Sequence, residues 1–237
     1  MKYEVIDYKK IMEIANTTRG LRLGNEDKIL NDRFAKAMRL SRWLKLKEQG
    51  KLIELEDVKQ NDKFLKCNSL NFKELGELND GTITKFEGIT HIINTERKNK
   101  KENIFVKKDD IVINTFLLEN KQNVIQIQKD MKMPYVYSEL VFIIRVNKEL
   151  IDPQYVYAIL SSDYFQQHLI DISVKGNVIN YRMSLEILKN IKIPILSEES
   201  KKAFYKEYNK KKKLEQELKK ANEQFNNDIE SIAKLTK

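Results

Sequence analysis

The sequence predicts an α+β fold, in which a mixed α/β region is followed by one long C-terminal helix with a coiled-coil pattern. Two observations predict it. Short β-branched or alternating segments between residues 110 and 146 are typical of strands. The segment from Ser197 to Lys237 contains no proline or glycine and is typical of a single helix. We therefore expect two parts, residues 1–196 and residues 197–237.

The composition predicts a folded, basic protein. The 237 residues suffice for one full-sized domain with an appendage, and 41% of them are hydrophobic, which is enough for a core. The formal net charge of +9 favours polyanionic partners such as nucleic acid through long-range attraction and counterion release. A lysine-rich proteome would produce the same surplus of positive charge without any such partner.

Several kinds of site and location are disfavoured by the residue counts. The single cysteine, Cys67, excludes an intramolecular disulfide and a zinc site built on several cysteines. The two histidines, His91 and His168, lie far apart in the sequence, so we expect no metal site. No apolar run approaches the ~20 residues of a membrane span, and residues 1–4 do not begin a signal peptide. A cytoplasmic bacterial protein is the expectation.

No motif in the sequence predicts catalysis. The scattered glycines form no phosphate-binding or cofactor loop, and the motifs of a DNA methyltransferase active site are missing. A Mg²⁺-dependent nuclease could use Glu54, Glu56 and Lys59, although such a charged run is usually only a solvated segment. We therefore expect no catalytic residue and no directly bound cofactor.

The first fifty residues predict two segments. Residues 3–20 read as a short strand and then a helical turn or two, with Ile11 and Ile14 on one face and a break at Gly20. Residues 26–47 read as a helix, because apolar residues recur there at intervals of three and four. Most of its other positions are basic. That face, with Arg39 and Arg42, is either a solvated surface or a contact with a phosphate backbone.

The middle of the chain predicts strands and the end predicts helices. Residues 110–116, 124–128 and 140–146 read as strands, with a polar loop at residues 96–101 that faces either solvent or a polyanion. Asp152 and Pro153 together are a helix start signal, and Leu169 is assigned to the apolar face of the same helix. Ser184 is expected to cap a short helix. Residues 191–195 alternate as a strand, which Pro194 confines to an edge.

The final helix, which Ser197 can cap, has an apolar seam that is suited to pairing with another helix. Read as heptads, the seam is interrupted by Lys211 and Asp228. At ~1.5 Å per residue the helix would be about 57 Å long, too long to bury its seam against one small domain. We therefore expect dimerisation with a helix of another chain. The expected dimerisation residues are Phe204, Leu214, Leu218, Ala221, Phe225, Ile232 and Leu235.

An ordered set of segments from residue 105 to about residue 229 resembles one half of a type I restriction–modification DNA specificity subunit. Residues 106–113 are similar to the family's Val-x-x-Gly-Asp-Ile strand, with Asp109 in place of the glycine. Residues 138–145 resemble the next core strand, and residues 150–162 the Pro-x-Tyr helix that follows it. The remaining matches are Lys175-Gly176-Asn177 with the helix after Met183, and the Ile-x-Ile-Pro strand at residues 191–196.

The resemblance implies a target recognition domain, residues 1–196 with a basic helical segment at about 26–47, followed by a conserved dimerisation helix, residues 197–237. Members of the family carry two such units in tandem, and this chain has one. Two copies would then pair through their final helices, antiparallel by analogy, and read a bipartite site in double-stranded DNA. The implied partner is a modification subunit that methylates adenine with S-adenosylmethionine, with a restriction subunit optionally attached. The sequence itself fixes neither the pairing direction nor the target site.

The expected mechanism is binding alone. Basic side chains hold phosphates, and loop side chains read base edges in the major groove. The turn around Gly176 could bring its neighbours close to DNA, or it could be an ordinary turn. The expected DNA-binding residues are Arg39, Arg42, Arg97, Lys98, Lys100, Lys101, Lys175, Asn177, Asn180 and Arg182. The alternative is a coiled-coil interaction module, or a mimic of a specificity subunit, that does not bind DNA.

Overall fold

A computed structural model of the chain describes residues 3–20, 38–39, 45, 48–49, 64–82, 90–94, 105–119, 121–131, 135–175 and 181–234. The chain forms two compact units. The terminal unit comprises residues 1–9 and 194–237, and the central unit comprises residues 10–193. The functional division at residue 196 stays a prediction.

The main sheet of the central unit is antiparallel and confirms the predicted mixture of strands and helices. Its strands, in spatial order, are β2 (Ala15–Arg19), β10 (Val141–Val146), β6 (Ile111–Asn114) and β8 (Val124–Gln126). The two strongest strands read from the sequence, β6 and β10, lie at the middle of this sheet. Their β-branched residues are buried, as expected for strands covered on both faces.

The alternation predicted for residues 124–128 is not the observed burial pattern. Residues 124–127 are all buried, and Gln126 is only 3% exposed. The edge strand β8 is covered because the helix at Pro153–Leu160 packs against it and because Asn79 donates to the Gln126 carbonyl at 2.8 Å. Contacts with other elements therefore bury the polar residue Gln126, which the alternating pattern assigned to the solvent-facing side of the strand.

A second sheet of the central unit combines strands that are distant in sequence. In spatial order it contains β3 (Met38–Arg39), β5 (Thr90–Asn94), β4 (Phe64–Leu70) and β9 (Tyr135–Tyr137). The helix predicted over residues 26–47 is therefore wrong at residues 38–39. That pair forms antiparallel backbone contacts with His91 and Ile92, which a periodicity read from one segment does not reveal. The rest of the predicted basic helix is almost entirely outside the described residues.

A helix that the sequence analysis did not predict follows β4. This helix, α2 (Phe72–Asp80), begins at Asn71, whose side chain accepts from the backbone N–H groups of Lys73 and Glu74. The Glu74 carboxylate in turn accepts from the Asn71 N–H at 2.7 Å, which completes a capping box. The helix ends at Gly81, whose left-handed φ of 85° suits glycine. Leu75 and Leu78 of α2 are buried in one hydrophobic cluster with residues of both larger sheets, among them Val112 and Tyr137.

Among the remaining helices of the central unit, the predicted caps at Asp152 and Ser184 are confirmed. Ile11–Ile14 forms the short helix α1. Asp152 caps α3 (Pro153–Leu160) and accepts from the Gln154 N–H at 2.7 Å. The sequence analysis extended this helix to Leu169, but Ser162 caps a separate helix, α4 (Asp163–Asp171). Ser184 caps α5 (Leu185–Asn190), as predicted.

A third, small sheet of the central unit contains three two-residue strands. They are β11 (Val174–Lys175), β12 (Tyr181–Arg182) and β7 (Phe116–Leu117), in that spatial order. The register is antiparallel throughout, with Lys175 opposite Tyr181 and Arg182 opposite Phe116. This sheet holds the two ends of the segment in which a DNA-contacting turn was predicted.

The terminal unit is dominated by the long helix that the sequence predicted. Strand β1 (Val5–Lys10) pairs with β13 (Lys192–Leu196), whose Pro194 lies in a two-stranded sheet, where both strands are edges. The helix α6 (Glu198–Lys234) has 37 residues, about 55 Å at 1.5 Å per residue. Ser197 Oγ accepts from the Ser200 N–H at 3.4 Å, and Ser200 Oγ accepts from the Glu4 N–H at 2.9 Å. These bonds tie the N-terminal strand to the start of α6.

In the described part of the chain, no helix combines the length and the apolar character that crossing a membrane requires.

Candidate nucleic-acid and partner interfaces

Three of the ten predicted DNA-binding residues lie in described segments. Arg39 is in β3, Lys175 is in β11 and Arg182 is in β12. The register brings Lys175 and Arg182 into the same small sheet, whereas Arg39 belongs to the second sheet. The other seven predictions fall outside the described residues, namely Arg42, Arg97, Lys98, Lys100, Lys101, Asn177 and Asn180.

The small sheet has an exposed cation on one face and a hydrogen-bonded tyrosine on the other. The Arg182 side chain is exposed, as is Val174 opposite it in the register. The Tyr181 hydroxyl donates to Glu119 Oε1 at 2.6 Å, and this hydrogen bond raises the pKa of the phenol because it stabilises the protonated form. Tyr181 and Arg182 are consecutive in β12, so their side chains lie on opposite faces of the sheet. An exposed guanidinium such as that of Arg182 can hold a phosphate or a guanine edge.

Glu119 is a residue of this surface that the sequence analysis did not single out. It lies 62 positions from Tyr181, just after β7, so no local pattern connects the two. Their contact exists only because β7 pairs with β12. An acidic side chain among predicted DNA-binding residues can restrain a donor or accept from a base amino group. Glu119 is thus a candidate for both roles.

A buried ion pair in the central unit connects its two larger sheets. Asp110, 1% exposed, accepts from Arg145 Nε and Nη2, each at 2.7 Å, in a bidentate arrangement. The Tyr137 hydroxyl donates to the same carboxylate at 2.8 Å, and burial together with the Asp110 charge raises the pKa of this phenol well above its usual range. Arg145 also donates to the Phe105 carbonyl at 3.1 Å. The cluster therefore joins β9, β10 and the turn before β6.

Asp109, beside this cluster, has an unusual backbone conformation. Its φ is 70°, the only left-handed value at a non-glycine position in the described part of the chain. Its carboxylate accepts from Lys148 Nζ at 2.7 Å, and that hydrogen bond raises the pKa of the lysine. Asp109 is the residue that stands where the Val-x-x-Gly-Asp-Ile pattern has glycine. A left-handed backbone is the conformation that glycine adopts most easily.

Gly20 lies at a point where two backbone segments approach each other closely. A Cβ atom at this position would lie 1.9 Å from the Ser138 carbonyl oxygen. The Gly20 N–H also donates to the Val141 carbonyl at 3.1 Å, so the two backbones are held together. Any side chain here would have to separate β2 from the segment that enters β10. The break predicted at Gly20 is thus a site of close backbone approach.

The predicted dimerisation residues of α6 are exposed over most of its length. The exposed fractions are 55% for Leu214, 63% for Leu218, 63% for Phe225 and 59% for Ile232. Ala221 is also exposed, Phe204 is half-buried, and Leu235 lies outside the described residues. Ile229 is 49% exposed and was not in the heptad seam. Exposed apolar residues in such a stripe are unusual on a protein that acts alone.

Within the described segments, no group of three histidine, cysteine or acidic residues is placed to hold a metal ion. Glu54, Glu56 and Lys59, the residues of the nuclease alternative, lie outside the described residues.

Comparisons with known proteins give little further information. No protein-family model matches the sequence, and no curated protein matches it. Among solved structures, the chain is similar to the crystal structure of the S subunit of a type I restriction–modification system from M. genitalium, with a TM-score of 0.39 and 11% sequence identity. The match covers 81% of this chain and 34% of that one, so the chain spans about a third of that subunit. Similarity at this level carries no argument about function.

Proposed function

We propose that this chain is a DNA-recognition subunit of the type I restriction–modification kind, with one target recognition domain, residues 1–196, and no catalytic site. It binds duplex DNA for a partner modification subunit that methylates adenine. S-adenosylmethionine belongs to that partner. Two copies of the chain pair through α6 and so read the two halves of a bipartite site.

Asp109 is the observation that carries this proposal. The resemblance was read from residue types alone, and the glycine of one motif was missing at this position. The backbone at Asp109 is nevertheless left-handed, as a motif glycine would require, and aspartate is among the few other residues that tolerate it. The backbone at this position is thus one that a glycine would adopt easily, which supports the resemblance. The next motif residue, Asp110, is buried and bonded to Arg145, which lies in the second matching segment.

The order of the elements gives further support. The matching segments form, in sequence, strand β6, strand β10, helix α3, helix α5, strand β13 and helix α6. Of the Lys175-Gly176-Asn177 match, the described part is Lys175, at the end of β11. The net charge of +9 supplies the long-range attraction that DNA binding needs.

DNA contact in the described part of the chain is assigned to the small sheet. Arg182 is exposed and carries this assignment. Lys175 is paired with Tyr181, so strand alternation puts it on the other face of the sheet. Phosphate contacts would fix the position of the protein, and contacts of residues 176–180, which follow β11 in sequence, with base edges would supply specificity.

A second candidate function is that of an interaction module without DNA affinity. The observation that favours it is the exposed apolar stripe of α6, which indicates a protein partner whatever the central unit binds. The two candidates differ in whether the purified chain, with its modification subunit, binds duplex DNA.

The test is a comparison of Arg182→Ala with Lys202→Ala, a change of equal charge on the exposed surface of α6. Binding of duplex DNA by the complex with the modification subunit is measured as a function of salt. Arg182→Ala should weaken binding about 10-fold and reduce the salt dependence by about one counterion, whereas Lys202→Ala should change affinity less than about 3-fold. Equal effects of the two variants, or no duplex binding by the unaltered complex, would contradict the proposal.

A further inference from the structure

The exposed apolar residues of α6 have a repeat of eleven residues. Leu214, Leu218 and Ala221 are each followed eleven positions later by another apolar residue, Phe225, Ile229 and Ile232 respectively. At 100° per residue these six positions fall within a sector of roughly 80° on one side of the helix. All six are exposed. The stripe is therefore continuous from residue 214 to residue 232.

A seven-residue repeat describes the same segment less well at one point. It places Asp228 in the seam and leaves Ile229 beside it. Enclosing a carboxylate against an apolar partner is costly unless the charge is paired, while an isoleucine left in water gains nothing. The eleven-residue repeat reverses the two roles and puts Ile229 in the seam. It corresponds to 3.67 residues per turn, so paired helices would run almost straight or with a slight right-handed supercoil.

The charge along the stripe indicates what covers it. Residues 210–222 carry six lysines and two glutamates, a net charge of +4. Residues 223–234 carry one lysine, two glutamates and one aspartate, a net charge of −2. Parallel pairing of two copies would set the Lys210–Lys213 run against the same run of the other chain. Antiparallel pairing sets the basic half against the acidic half, which complementary charges favour.

We propose that α6 pairs with α6 of a second copy in an antiparallel, eleven-residue register centred near Glu223. This inference rests on the homodimer of the proposed function and specifies its geometry. In this register, Leu214 faces Ile232 of the partner subunit and Ala221 faces Phe225 of the partner subunit. The second pair sets a small side chain against a large one, which lets the two helices approach closely at the centre. Ile229 lies in the seam, and Asp228 faces solvent beside it.

Two neighbouring substitutions to the same residue test the register. Ile229→Gln and Asp228→Gln each place a good helix former at an exposed helical position, so a general effect on the helix is shared by both. Sedimentation equilibrium of the full chain should show the dissociation constant of the dimer raised at least 10-fold by Ile229→Gln, since two buried side chains are lost per dimer. Asp228→Gln should change it less than about 3-fold. An effect of Ile229→Gln no larger than that of Asp228→Gln would overturn the register.

Spin labels test the direction. In a Cys67→Ser background, Lys213→Cys carries one label on each copy, and the register separates the two labels by 20 residues along the helix axis, or about 30 Å. Parallel pairing would bring them within about 20 Å, allowing for the two label arms. A distance near 30 Å supports the antiparallel register, and the shorter distance overturns it while leaving a DNA-reading dimer intact. A monomer in sedimentation would overturn this inference and the dimer alike, but duplex binding by the complex with the modification subunit would still test DNA recognition separately.

Discussion

The buried cluster around Asp110 and the exposed stripe of α6 differ in where their side chains find interaction partners. In the central unit, the Asp110 charge is removed from water but is fully paired by Arg145 and Tyr137. In the terminal unit, apolar side chains such as Leu218 and Phe225 remain largely in water. The first region satisfies its groups within the chain. The second requires another molecule. Stability is thus expected to come from the central cluster, and assembly from α6.

The largest expected effect comes from removing one member of the buried pair. Arg145→Ala leaves the Asp110 carboxylate buried without its bidentate partner, so we expect the free energy of unfolding to fall by about 3–5 kcal/mol. Urea denaturation of the two proteins measures the difference. Lys148→Ala is the control, because it breaks the exposed ion pair to Asp109 and should cost less than about 1 kcal/mol. Similar losses in the two variants would show that burial of the Asp110 charge does not matter.

A smaller effect is expected where β2 meets the segment that enters β10. Gly20→Ala forces a methyl group against the Ser138 carbonyl, so the strands must separate locally. We expect a loss of about 1–3 kcal/mol, the usual cost of overpacking. Gly76→Ala, on α2, is the matched control, because a Cβ atom there meets nothing within 4 Å and alanine favours the helix. Thermal unfolding should therefore show a lower Tm for the first variant and an unchanged or higher Tm for the second.

The smallest effect concerns the left-handed residue beside the cluster. Asp109→Gly and Asp109→Ala both remove the ion pair to Lys148, but glycine tolerates the observed φ of 70° and alanine does not. We expect the glycine variant to be the more stable of the two by about 1 kcal/mol. Their unfolding free energies, measured side by side, give the comparison. A more stable alanine variant would mean that the turn is not left-handed in solution.

The same contrast explains what could be predicted from the sequence. Local signals were sufficient for α6, for the strands β6 and β10, and for the caps at Asp152 and Ser184, because each depends on residues a few positions apart. The capping box at Asn71 and Glu74 is equally local, so the start of α2 is predictable from the sequence. The pairing of Met38–Arg39 with β5 and the contact of Tyr181 with Glu119 depend on residues more than fifty positions apart. No periodicity within one segment contains that information.

The candidate site was less predictable than the fold for a related reason. Charge identified basic residues, but only the sheet register shows that Lys175 and Arg182 lie in one small sheet, on opposite faces, and that Arg39 lies in a different sheet. On α6, a heptad template found most of the stripe, yet it assigned Asp228 where the exposed apolar residue is Ile229. The heptad pattern assumes a repeat of seven residues from the start. The exposed apolar residues of α6 instead follow a repeat of eleven.

The central claim, that this chain recognises DNA for a methylating partner, is tested most directly by mapping methylated adenines. The chain is co-expressed with a neighbouring adenine methyltransferase subunit in a host that lacks other adenine methylation, and the host DNA is sequenced for modified bases. The account predicts methylation at a symmetric motif of two separated half-sites, absent when the chain is omitted and reduced by Arg182→Ala. An identical methylation pattern with and without the chain would contradict it.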